Sequence, residues 1–165
     1  MLKVSPAANS IYDALDNISS TTQSNNTANL KDKAPATITA VNVSNDNTSV
    51  AVTISEAVYS TNNGSGDLEK ADFAFTMSGG AASLSSATPT TISKSGNVYT
   101  LGFGLSGTPS GAEIINVSPV ANSIYDALGN ISLTTQSNNT ANLKDKAKPI
   151  ILSLIHISEP TRRSM

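Results

Sequence analysis

Few residues in this chain could do chemistry. None of its 165 residues is cysteine, so disulfides and thiolate metal sites are excluded. The single histidine, His156, stands close to the C-terminus. Gly102-Phe103-Gly104-Leu105-Ser106-Gly107 spells G-x-G-x-x-G. That motif cradles a dinucleotide phosphate only where strand, glycine turn and helix follow one another. Here it lies inside a strand pattern, and Thr108-Pro109-Ser110-Gly111 follows. It reads as a strand with two glycines on its non-core face, ending in a turn. Catalysis needs acid, base or nucleophile groups held within mutual reach. The acids of this chain sit in turn-like contexts with no defined pairing, so no enzymatic activity is expected. Calcium is the sharper expectation, because it takes about six to eight oxygens from carboxylates, amides and carbonyls. Its candidate ligands are Glu56, Asp72, Asp126 and Asn130, with Asp67 and Glu69 in the loop that leads to Asp72. No EF-hand spacing is present. A second reading of Asp126 competes: a turn whose carboxylate accepts nearby backbone N–H groups, with Gly129 and Asn130 at positive φ.

The elements that must position these residues read as strands. Val50, Val52 and Ile54 alternate with Ala51, Thr53 and Ser55, which gives one apolar face. Phe73, Phe75 and Met77 alternate with Ala74 and Thr76, and Tyr99, Leu101, Phe103 and Leu105 with Thr100, Gly102 and Gly104. Ile115 and Val117 continue the theme. In Thr37–Val43 the phase slips between Ile38/Ala40 and Val41/Val43, which predicts a bulge. Turn residues fill the gaps at Asn45-Asp46-Asn47, Asn62-Asn63-Gly64, Gly79-Gly80 and Ser95-Gly96-Asn97. No segment keeps a helical period. About seven short strands in about 110 residues predict an all-β sandwich of immunoglobulin size. Thr140-Ala141-Asn142-Leu143 is expected to be its closing strand, with Leu143 turned inward and a short, stiff joint from Lys144 to Lys148.

Self-comparison sets the organisation. Val4–Ala34 and Val117–Ala147 are identical at 28 of 31 positions, at an offset of 113. The differences are Ala7/Val120, Asp16/Gly129 and Ser20/Leu133. Even the polar linker matches, where packing imposes little, so a tandem duplication explains the likeness. Residues 35–147 then make one complete repeat. Residues 1–34 are the C-terminal part of a preceding repeat, and 148–151 start a further one. Met1–Leu30 has no body of its own to pack on. It is expected to be disordered or loosely docked, with a minor population that exchanges between chains.

Composition narrows the functional classes. Ser, Thr and Asn supply 60 residues, while charged residues are only 13% and the net charge is −2. That balance excludes a basic nucleic-acid footprint and a charge-rich disordered segment. No apolar run approaches the roughly 20 residues that span a bilayer, so membrane insertion is not expected. Lys3 is followed by no apolar stretch of signal-peptide type. Asn-x-Ser/Thr sites at Asn17, Asn25, Asn47, Asn63, Asn116, Asn130 and Asn138 follow from the composition alone.

Three stretches carry a family likeness: Val50–Val58 (VAVTISEAV), Lys70–Met77 (KADFAFTM) and Tyr125–Asn130 (YDALGN). A strand ending in Ser-Glu-x-Val, a later Asp-Phe strand and a closing Asp-x-x-Gly-Asn resemble the bacterial Ig-like and S-layer-associated Ig-like repeats. The resemblance covers 35–147. It implies an immunoglobulin-like sandwich in a large secreted or cell-surface protein. It also implies a spacing or display role, or an adhesive role towards glycan or protein, with the neighbouring repeats of the chain as partners. Leu152–Arg162 (LSLIHISEPTR) instead resembles the in-frame translation of a transposase-based sequencing adapter. Residues 152–165 are therefore expected to be a non-native tail, and His156 is given no role.

Overall fold

A computed structural model describes residues 1–150. The adapter-like tail and the last residue of the expected third repeat lie outside the described residues. Two short strands, β1 (Leu2–Lys3) and β2 (Thr27–Ala28), pair antiparallel in the first copy. The repeat body follows with β3 (Ile38–Val43), β4 (Ser49–Ile54), β5 (Val58–Tyr59), β6 (Phe73–Ser78), β7 (Ser83–Leu84), β8 (Ile92–Ser95), β9 (Val98–Gly102) and β10 (Leu105–Ser106). The second copy contributes β11 (Ile114–Pro119), β12 (Tyr125–Asp126) and β13 (Thr140–Asn142). One 3-10 turn spans Lys70–Asp72. Among the described residues no helix is long and apolar enough to cross a membrane.

The chain is an all-β sandwich. One sheet has the order β3-β4-β9-β8 and the other β13-β11-β6, and all neighbours are antiparallel. Strand alternation explains what each sheet buries. β4 turns Val50, Val52 and Ile54 inward, β9 turns Tyr99 and Leu101, β6 turns Phe73 and Phe75, and β11 turns Ile115 and Val117. The aromatic rings bridge the layers: Phe73 lies 5.8 Å from Tyr99, and Phe75 lies 6.0 Å edge-on to Phe103. The register of β3 slips between Ile38 and Ala40, so Ile38, Val41 and Val43 all reach the core despite their broken spacing. The short pairs β5–β12 and β7–β10 close the flanks.

The register also places the ends of the unit. Ile38 lies opposite Ile54 and donates its N–H to Gln136, and Pro119 lies opposite Phe73. The chain enters the sandwich here, through buried Ala36. Val43 lies opposite Val50, Ser49 opposite Gly102, and Ile114 opposite Ser78 and Asn142. Leu143 leads the chain out at this second end, beside the β3–β4 turn. Entrance and exit are therefore at opposite ends, separated by the length of a six-residue strand, about 20 Å.

The two copies meet different fates. Ile11 is 53% exposed and Ile124 1%; Leu30 is 73% exposed and Leu143 3%. Yet the first copy is not shapeless. Leu2↔Ala28 and Lys3↔Thr27 repeat the pairings Ile115↔Ala141 and Asn116↔Thr140. The bridge Tyr12↔Ile18 repeats Tyr125↔Ile131.

Candidate functional site

The residues that could act as ligands or joints gather at the two ends of the sandwich. At the entrance, Asp126 folds the chain over itself. Its Oδ1 accepts the N–H groups of Leu128 and Asn130, both at 2.8 Å, and its Oδ2 accepts Asn130 Nδ2 at 2.6 Å. Gly129 sits at φ 81°, where a side chain would also run into the Asn62 carbonyl. Asn130 is not at positive φ, so that part of the expectation is corrected: one left-handed residue closes this turn. The first copy builds the same turn in solvent. Asp13 accepts Leu15 N–H at 2.8 Å, Asn17 N–H at 2.9 Å and Asn17 Nδ2 at 2.8 Å. There Asp16 takes the left-handed position at φ 61°, which Asp tolerates better than most residues. The turn is thus encoded locally and needs no packing.

Burial works to raise the Asp126 carboxyl, but the Asn130 side chain and the N–H groups of Asn130, Leu128 and Gly129 outweigh it and hold the group below its usual range. Glu56 is pushed up, first by burial and then by the charges of Asp126 and Asp32. Asp72 has its own partners. Its Oδ2 accepts Glu69 N–H at 2.7 Å, and its carbonyl receives Val120 N–H and the Ser123 hydroxyl. Burial pushes its carboxyl up. The fold therefore brings Glu56 near Asp126 and Asn130, while Asp72, at the same end of the sandwich, is engaged with Glu69 in its own loop. Among the described residues no group of three or more His, Cys, Asp or Glu is arranged to hold a metal ion.

The exit end is held by two residues that sequence reasoning missed. Glu113 is fully buried. Its carboxylate accepts N–H groups from Ala81 at 2.8 Å, Ala82 at 3.0 Å and Ser110 at 2.9 Å, and the Ser110 hydroxyl at 3.2 Å. The Ala82 N–H does most to hold the carboxyl down, to about 2, against the opposing effect of desolvation. Asn47 is the second. Its Nδ2 donates to Lys144 O at 2.7 Å and its Oδ1 accepts Lys144 N–H at 2.8 Å. Leu143 N–H bonds Glu113 O at 3.0 Å, and Lys146 N–H bonds Pro109 O at 2.8 Å. The outgoing chain is thereby fastened to two loops, the β3–β4 turn through Asn47 and the β10–β11 loop through Pro109 and Glu113.

The G-x-G-x-x-G segment is not a phosphate loop. Gly102 ends β9, and β10 follows it rather than a helix. The segment Ser85–Thr91 runs alongside it. Thr90 N–H donates to Gly102 O, Gly102 N–H to Thr91 O, and Ser85 N–H to Gly104 O, at 2.8–3.0 Å. Side chains on either glycine would strike Thr91 or Ser85. On the β8 edge a shallow groove is lined by Asp67, Leu68, Ile92 and Tyr99. The Tyr99 hydroxyl is buried without a hydrogen-bond partner, and Lys94 Nζ stands 5.5 Å from its ring.

Comparison with family models, with curated proteins and with solved structures gave no match.

Proposed function

We propose that the chain is a stretch of an extracellular bacterial array of immunoglobulin-like repeats, in which each domain is a non-enzymatic spacer that displays what lies beyond it. The observation that carries this reading is the joint. Its sequence, Lys-Asp-Lys-Ala, occurs twice, as 31–34 and 144–147. The later copy leaves its own domain fastened by Asn47 to Lys144 and by Pro109 to Lys146. The earlier copy enters the next domain with Asp32 O held by Asn130 Nδ2 at 3.2 Å. Overlaid by the repeat, one four-residue joint is gripped from both sides. With entrance and exit at opposite ends, repeats joined this way run on as a rod rather than fold back.

The test is small-angle scattering from tandem repeats of residues 35–147 in two, three and four copies. A rod adds a constant increment to the maximum dimension per copy. A growth that falls off as the square root of copy number marks a flexible chain and rejects the spacer.

One observation favours a second reading, an adhesive module that contacts glycan or protein. The shallow groove at the β8 edge, lined by Asp67, Ser93 and Lys94 beside Ile92, offers polar contacts. Glycan binding that Asp67→Ala or Lys94→Ala abolishes would favour the module, and no binding by the intact repeat would favour the spacer alone. Calcium at Glu56 and Asp126 belongs to either reading. Its check is a melting shift of several degrees between chelator and millimolar calcium.

A further inference from the structure

The loop between β5 and β6 carries the one Asn-Gly step of the sequence, Asn63-Gly64. Ser60 N–H bonds Gly66 O and Thr61 N–H bonds Ser65 O, so residues 62–64 form the tip of a tight hairpin. The Asn63 side chain is held over that tip. Its Oδ1 accepts the Ser65 hydroxyl at 2.6 Å and also the Thr61 hydroxyl. The two hydroxyls lie 3.0 Å apart, and that of Thr61 reaches Ser65 O at 2.6 Å as well. Each hydroxyl has one proton. When Thr61 donates to Ser65 O, Ser65 still serves the amide oxygen. Asn63 is exposed and Gly64 half-buried. Among the described residues neither Asn63 Nδ2 nor the Gly64 N–H has a hydrogen-bond partner. Glycine also has no side chain to shield its nitrogen.

We infer that Asn63-Gly64 is a self-modification site, at which the Gly64 nitrogen displaces the Asn63 side-chain amide with the help of the Thr61 and Ser65 hydroxyls. The Gly64 N–H loses its proton to water, and the nitrogen attacks Asn63 Cγ. An N–Cγ bond forms, and negative charge gathers on Oδ1, where the hydroxyl donors already stand. The Cγ–Nδ2 bond then breaks, and ammonia leaves with a proton returned by water. One water molecule opens the resulting cyclic imide at either carbonyl, which leaves aspartate or isoaspartate. Nothing is oxidised or reduced. The product bears on the entrance of the domain. Gly64 sits at φ 73° against the Asp126 turn, where an added Cβ would stand 2.9 Å from Ala127 O. Gly129 of that turn lies as closely on the Asn62 carbonyl. Isoaspartate routes the chain through the side chain and adds one carbon to the backbone at this fit. The same turn carries Asn130, which holds Asp32 O of the incoming chain. The inference rests on this loop and not on the array or the rod, so either stands if the other fails.

The test incubates the intact chain at body temperature in mildly alkaline buffer and follows it by peptide mapping. The expected result is a mass gain of one unit at Asn63 ahead of every other asparagine. It should come with isoaspartate that a protein isoaspartyl methyltransferase labels, and its rate should rise with pH. Asn63→Gln should abolish the gain. Thr61→Val with Ser65→Ala should slow it severalfold in the folded chain, with folding checked by a thermal melt, and leave the rate in urea unchanged. The isolated isoaspartate form should melt below both the fresh chain and Asn63→Asp. No gain at Asn63 in the folded chain, while the chain in urea reacts, overturns the inference. A folded double variant that reacts as fast as the native chain, or faster, overturns it too.

Discussion

At the scale of single residues, Glu113 decides how the exit end is built. A buried carboxylate is tolerable only where donors replace the water it has lost, and here three backbone N–H groups and a hydroxyl do so. Its folded carboxyl is held down to about 2, against 4.5 when free. A depressed carboxyl contributes stability that is fully present above about pH 4.5 and is lost as pH falls towards 2. Glu113→Gln should therefore melt at least about 5 °C lower at neutral pH. It should also lose less than the native chain on acidification through that window. Thermal melts across a pH series check this, and an unchanged pH slope would contradict it. Gly80 frames the same carboxylate. It sits at φ 63°, and a side chain there would run into Glu113. Gly96, at φ 58°, faces open space. Left-handed backbone alone costs roughly 1–2 kcal/mol with an added Cβ. Gly96→Ala should show that cost, and Gly80→Ala should exceed it by at least about 1 kcal/mol in urea unfolding. Equal losses would mean the loop simply moves aside.

At the scale of elements, one leucine in two places separates sequence from context. Leu143 closes the core behind β13, while Leu30, its copy, has nothing to pack on. Leu143→Ala should cost about 2–5 kcal/mol, as other buried leucines do. Leu30→Ala should stay within about 0.5 kcal/mol. Denaturant titrations of the two variants measure the difference directly. The elements themselves were largely legible, because period-two alternation marks β4, β6 and β9, and the slipped phase at Ile38/Ala40 marks the bulge. The closing strand and the inward Leu143 could be read from the short apolar rhythm of Thr140–Leu143. The turn at Asp126 was legible because its bonds are local, reaching only two to four residues along the chain. Glu113 and Asn47 were not. Their partners Ala81, Ala82 and Lys144 lie roughly 30 to 100 residues away. No spacing in Gly-Ala-Glu or Asn-Asp-Asn signals such a bond. The segment that pairs alongside Gly102 was not legible either, because strand alternation does not show which loop lies beside it.

At the scale of the whole molecule, position rather than sequence decides which copy closes the domain. Two nearly identical segments carry the same turn and the same hairpin register, yet only the one that follows the body is packed. The most direct measurement is amide hydrogen exchange on the intact chain, resolved by residue. Amides exchange slowly where opening requires loss of the packed core, and quickly in exposed elements. The account predicts strong protection at Ile115, Val117, Ser132 and Leu143, and little at Leu2, Val4, Ser19 and Leu30. Equal protection in the two copies, or protection of the first alone, would contradict the assignment of 35–147 as the closed unit.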